Sequence, residues 1–181
     1  GSISGPDYAI TADLGLQQGN NLFHSFNTFD INTLETAIFS GPNSISNIIS
    51  RVTDGKTSFI DGKIQSTITD ANFYFLNPGG IMFGPNASLD VTGSFHASAG
   101  DYLLFTDNSF FYADPAKVSI LTIAPPAAFG LLSDNPATLT ASGSLLSVPK
   151  GEYISLSGGN ITLDNANLFA QSGHISLAAP G

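Results

Sequence analysis

The sequence has no cysteine and no tryptophan, and only 10% of its 181 residues are charged, against about 25% in an ordinary globular protein. Without cysteine there is no disulfide scaffold, no thiolate nucleophile and no Cys-ligated metal. Cations are scarce. Arg51, Lys56, Lys63, Lys117 and Lys150 are set against 14 Asp and Glu, and they form neither a run nor a stripe. Neutralising several phosphates needs clustered cations, so nucleic-acid binding is not expected, and an anionic membrane surface is disfavoured for the same reason. No apolar run reaches the ~18 residues of a membrane-spanning helix, so no membrane insertion is expected. The start, Gly1-Ser2-Ile3-Ser4, lacks the basic and apolar segments of a signal peptide. The expectation is a mature domain whose targeting segment has been removed.

What remains is apolar and aromatic. Hydrophobic residues make up 42%, with 14 Phe and five Tyr, while Ser, Thr, Asn and Gly carry the polarity. That mixture suits a packed core rather than a disordered chain, and the length suits one domain spanning 1–181. Helical periodicity is nearly absent, because 19 Gly and 10 Pro interrupt each candidate. Short strand signals recur instead, such as Phe73-Tyr74-Phe75-Leu76, Ile81-Met82-Phe83 and Tyr102-Leu103-Leu104-Phe105, each bounded by turn formers.

The downstream part carries a repeat. Ile154, Ile161, Leu168 and Ile175 fall seven residues apart, as do Leu132, Leu139 and Leu146 before a slip at Pro149-Lys150-Gly151. A coiled coil is excluded by the intervening Gly158-Gly159-Asn160, Asp164-Asn165 and Ser172-Gly173, which break helices. Three short strands and three turns per circuit of about 21 residues fit better, with apolar–polar–apolar triplets pointing in, out and in. The fold class predicted is all-β, a right-handed parallel β-helix with an N-terminal cap over residues 1–19 and regular coils over 132–181. An antiparallel sandwich is the weaker alternative, since two-residue hairpin loops are confined to Asp54-Gly55 and Asp61-Gly62. One hairpin projecting from the solenoid is expected there. The stop at Ala178-Ala179-Pro180-Gly181, inside a repeat, suggests a piece of a longer solenoid.

Three stretches carry a specific resemblance. They are Asn21-Leu22-Phe23-His24-Ser25-Phe26-Asn27 with Ile48 to Gly55 beyond it, Phe75-Leu76-Asn77-Pro78-Gly79-Gly80-Ile81-Met82-Phe83-Gly84, and Pro85-Asn86-Ala87-Ser88-Leu89-Asp90-Val91-Thr92-Gly93-Ser94-Phe95-His96-Ala97-Ser98. The chain resembles the two-partner secretion domain of filamentous-haemagglutinin-like exoproteins. The Asn21–Phe26 variant is similar to the cyanobacterial branch. The family pattern Asn-Pro-Asn-Gly-Ile reads Asn77-Pro78-Gly79-Gly80-Ile81 here, and Gly41-Pro42-Asn43-Ser44 half matches an earlier Asn-Pro-Asn-Leu motif.

The resemblance implies the first domain of a large exoprotein, carried by Sec to the periplasm and then to the cell surface or medium. It also implies recognition by the POTRA domains of an outer-membrane β-barrel transporter, after which the domain nucleates β-helix folding outside. A chain without cysteine suits passage through a pore unfolded. The residues expected to serve transporter recognition or folding are Asn21, Leu22, Phe23, His24, Ser25 and Phe26, with Asn77, Pro78, Gly79, Gly80 and Ile81. A tight turn is the plainer reading of the second group, and core packing that of Leu22 and Phe23. His24, His96 and His174 share no ligand spacing, and Asp54, Asp61, Asp101 and Asp164 stand singly at turns. No catalytic residue, metal or cofactor is assigned, and a monomer is expected. An adhesin that binds glycans or proteins directly is the alternative, and a polysaccharide-cleaving β-helix enzyme a weaker one, because no acidic pair or Gly-x-Ser-x-Gly elbow is present.

Overall fold

A computed structural model describes residues 1–180 and shows the chain winding into a parallel β-solenoid with three faces. The first face stacks Asp7–Thr11, Thr36–Ser40, Lys63–Ser66, Ser88–Asp90, Leu145–Ser147 and Asn167–Phe169. The second stacks Asn21–Phe26, Asn47–Val52, Asn72–Leu76, Phe95–Ser98, Tyr153–Ser157 and His174–Ala178. The third is shorter: Ser58–Ile60, Ile81–Phe83, Leu139–Ser142 and Ile161–Asp164, with Ile31 adding one bridge to Ile60. Every pairing along these three stacks is parallel, which rules out the sandwich. Leu16–Gln18 pairs antiparallel with Asn21–Phe26 and covers the outer edge of the second face. Among the described residues no helix is long and apolar enough to cross a membrane.

Alternation drives the winding. In each strand one set of side chains points into the bore and the other points away. The seven-residue repeat maps onto this directly, since each step of seven moves one face round the coil. Leu139 lies beside Ile161, Leu146 beside Leu168, and Ile154 beside Ile175. The slip at Pro149-Lys150-Gly151 adds one residue to a corner between Leu146 and Ile154. Leu132 does not share the pattern: it is exposed and precedes the strand Leu139–Ser142.

The bore narrows along its length. Equivalent Asn residues of the first circuits lie 26 and 25 positions apart, whereas Asn72 and Ser94 lie 22 apart. The wide circuits are filled with Phe29, Phe39, Phe73, Phe75, Phe83 and Phe95. Their rings touch in series, Phe39 to Phe73 at 4.7 Å and Phe73 to Phe95 at 5.8 Å. Beyond Phe95 the filling is aliphatic: Leu139, Ala141, Leu146, Ile154 and Leu156.

The projecting hairpin is not where the turn dipeptides pointed. Asp54-Gly55 and Asp61-Gly62 are corners joining strands of different faces, and the strands they flank pair parallel with rungs above and below. A dipeptide signal reports a turn, and a corner and a hairpin use the same turn chemistry. The chain leaves the coil instead after Phe95–Ser98. There Tyr102–Phe105, Phe110–Tyr112 and Pro126–Gly130 form a three-stranded antiparallel sheet before the third face resumes at Leu139. This excursion lies on the outside of the second face. Leu103, Phe105 and Phe111 close a second core there over Phe23 and Ile49.

Candidate functional site

Asn21–Phe26 is the first rung of the second face, whereas Asn77–Gly80 is the corner that leaves that face's third rung and Ile81 begins a strand of the third face. The two motifs share neither a sheet nor an exposed surface.

Asn21–Phe26 is buried on both sides. Leu22 points into the bore, while Phe23 packs outward at 5.1 Å from the Phe111 ring beneath the excursion. His24 points inward against Phe39, with ring centroids at 5.6 Å. Its Nε2 is buried without a hydrogen-bond partner, and burial lowers its pKa to about 4. It is therefore a neutral core residue at neutral pH. Ser25 is the exposed member of the motif. It accepts a hydrogen bond from Arg51 Nε at 2.7 Å.

Asn21 heads a ladder. Its Oδ1 accepts from Asn47 Nδ2 at 2.9 Å, Asn47 Oδ1 accepts from Asn72 Nδ2 at 3.4 Å, and Asn72 Oδ1 accepts from the Ser94 backbone N–H at 3.0 Å. Ser94 Oγ passes the chain on to Glu152 Oε2 at 2.7 Å. At its head, Asn21 Nδ2 donates to the carbonyls of Thr122 and Ala124 at 2.9 and 2.7 Å, both in the excursion. Sequence reasoning named Asn21 but missed Asn47, Asn72 and Ser94. The signal was present, because Asn21-Leu22-Phe23, Asn47-Ile48-Ile49 and Asn72-Phe73-Tyr74 repeat Asn before two apolar residues.

Asn77-Pro78-Gly79-Gly80 turns the corner from the second face to the third. Asn77 is fully buried and uses all of its amide. Nδ2 donates to Lys56 O and Ser58 Oγ, each at 2.9 Å, and Oδ1 accepts from the Gly79 N–H at 2.8 Å. The corner thus rests on the one below it, Asp54 to Thr57, and Thr57 Oγ1 donates to Gly79 O at 2.7 Å. A Cβ at Gly79 would lie 2.5 Å from Lys56 O, and Gly80 has φ +102°, so both positions require glycine. Ile81, the next residue, is buried in the bore. Pro78 is half-buried at the outside of the turn. A second corner is built the same way. Asp61 accepts from Thr33 Oγ1 in the circuit before and from the Asn86 backbone N–H at 2.9 Å in the circuit after. These donors, Thr33 first, hold the Asp61 carboxyl below its usual pKa.

The remaining polar chemistry is sparse. His96 Nδ1 lies 2.6 Å from Ser155 Oγ, and the imidazole stacks on Tyr74 at 4.5 Å. Burial lowers the His96 pKa to about 4, far too weak a base to activate a hydroxyl near neutrality. Arg51 lies under the excursion, its guanidinium 4.6 Å over the Phe111 ring and its Nη1 donating to Tyr112 O at 2.6 Å. Among the described residues no group of three His, Asp or Glu is placed to hold a metal ion.

Comparison with known proteins agrees with this geometry. No curated protein matches the sequence. The family model described as the TPS secretion domain matches residues 7–179, from the first rung of the first face to the last rung of the second. A match over nearly the whole coil shows that the chain belongs to the TPS secretion domain family, the secretion-related domain of two-partner secretion exoproteins.

Proposed function

We propose that this domain is read in the periplasm by the POTRA domains of an outer-membrane β-barrel transporter and that it nucleates β-helix folding once outside. The observation that carries the reading is the match of the TPS secretion domain model to residues 7–179, which spans a coil whose rungs stack in parallel one upon the next. A parallel coil takes on circuits one at a time, and folding supplies about 0.05–0.15 kcal/mol per residue. The outer membrane has no ATP supply, so folding outside biases the chain outward. In the periplasm, recognition proceeds by strand addition onto a POTRA sheet.

The role of Asn77 to Ile81 in this reading is to lock two corners together. Asn21 to Phe26 supply the first rung of the second face, and Leu16–Gln18 covers its outer edge. The domain performs no catalysis. The adhesin alternative has little support, because the exposed aromatics Phe59, Tyr153 and Phe169 stand on three different faces and form no common platform. The test is binding of the chain to the periplasmic POTRA region of its transporter, with crosslinkers placed along residues 161–178 and, as controls, on the exposed side of the first face. Crosslinks along residues 161–178 are expected. Crosslinks confined to the controls would overturn strand addition, and absence of binding would overturn the recognition role.

A further inference from the structure

The excursion over residues 102–130 does more than decorate the coil. A strand of an isolated rung needs an apolar side only toward the bore, yet Asn21–Phe26 and Asn47–Val52 are apolar on both sides. Their outward residues Phe23 and Ile49 are buried only because Leu103, Phe105 and Phe111 lie on them. Polar tethers follow the same path. Asn21 Nδ2 holds the carbonyls of Thr122 and Ala124, and Arg51 Nη1 holds Tyr112 O and Ser119 Oγ. The neck, which leaves the fourth rung Phe95–Ser98, is closed on itself: Asp101 Oδ2 accepts from the N–H groups of Leu132 and Ser133, and the Asp101 N–H donates to Gly130 O. The excursion therefore spans from the fourth circuit back to the first.

We infer that the excursion is a clasp on which the first two rungs of the second face depend, so that Asn21–Phe26 and Asn47–Val52 stay folded only while residues 102–130 lie over them. Asn21 and Thr122 are 101 positions apart. A chain supplied from its first residue onward thus cannot complete its opening rungs until about residue 130 is present, unlike a solenoid whose repeats add one after another. This rests on the fold alone and stands whether or not the transporter reading does.

Native-state hydrogen exchange on the full chain tests it. Leu103→Ala removes packing only from the second core, and a buried Leu→Ala change corresponds to at least ~30-fold faster exchange of the amides that open with it. Amides of Leu22, Phe23, Ile48 and Ile49 are expected to accelerate together with those of 102–105 and 110–112. If the amides of the excursion accelerate while those of Asn21–Val52 keep their protection, the inference is overturned. Should Leu103→Ala not fold, Thr122→Val, which removes the hydroxyl that donates to Asp107 and accepts from the Ala124 N–H, carries the same comparison at a several-fold effect.

Discussion

Asn77 spends its whole amide on its own chain, gripping the preceding corner and its own turn. Truncation to Ala leaves Lys56 O, Ser58 Oγ and the Gly79 N–H without their hydrogen bonds in a buried corner. Asn77→Ala is expected to lower stability by about 2–3 kcal/mol in urea titration, and to reduce secretion in proportion. Normal stability with lost secretion would instead assign Asn77 a direct recognition role. The histidines set a pH limit. Folded His24 and His96 titrate at about 4, below the ordinary 6.5, so the unfolded chain takes up their protons first. Stability is then full above pH 6.5, falls as pH drops from 6.5 to about 4, and loses at most about 3 kcal/mol per histidine. Urea midpoints at pH 7.5 and 4.5 should differ, and His96→Gln should remove roughly half of the difference. Equal midpoints in the parent protein would refute the assignment.

At the level of strands and corners, the asparagine ladder is the device that fixes register. A slip by one residue in a strand sends every side chain to the wrong side, and Asn21, Asn47 and Asn72 bond only when their strands start in line. Asn47→Ala should cost about 1–3 kcal/mol by stranding the amide of Asn21, checked by thermal and urea unfolding of the single variant. The rungs downstream of Leu139 were legible because short corners keep their spacing near seven. Upstream circuits were not, since corners of different length erase any fixed period, although Asn-apolar-apolar recurs there. Tyr102–Phe105 reads like any rung; only its antiparallel partners, distant in sequence, reveal it as part of the excursion. The motif at Asn77 was legible as a turn. That its amide would grip the preceding corner was not, because the two corners are brought together by the coil itself.

For the molecule as a whole, the proposed growth of the coil predicts different costs for one substitution in the isolated chain and in an exoprotein. Leu177→Asp on the isolated chain is expected to change stability by less than about 0.5 kcal/mol, since the side chain is half exposed. On the proposed reading, in which further circuits fold onto this one, the same change buries a carboxylate and should impair surface folding. Unfolding of the isolated chain together with a secretion assay distinguishes the two, and an equal loss in both would contradict that reading.

The narrowing bore gives each rung an address. A 26-residue loop stuffed with phenylalanine rings cannot sit on a 21-residue one filled with leucine and isoleucine, and the reverse stacking leaves a void. Rungs therefore cannot trade places, slide by a full turn, or be borrowed from a neighbouring molecule without misfit. The cone gives the thread a direction, with one broad end and one narrow end.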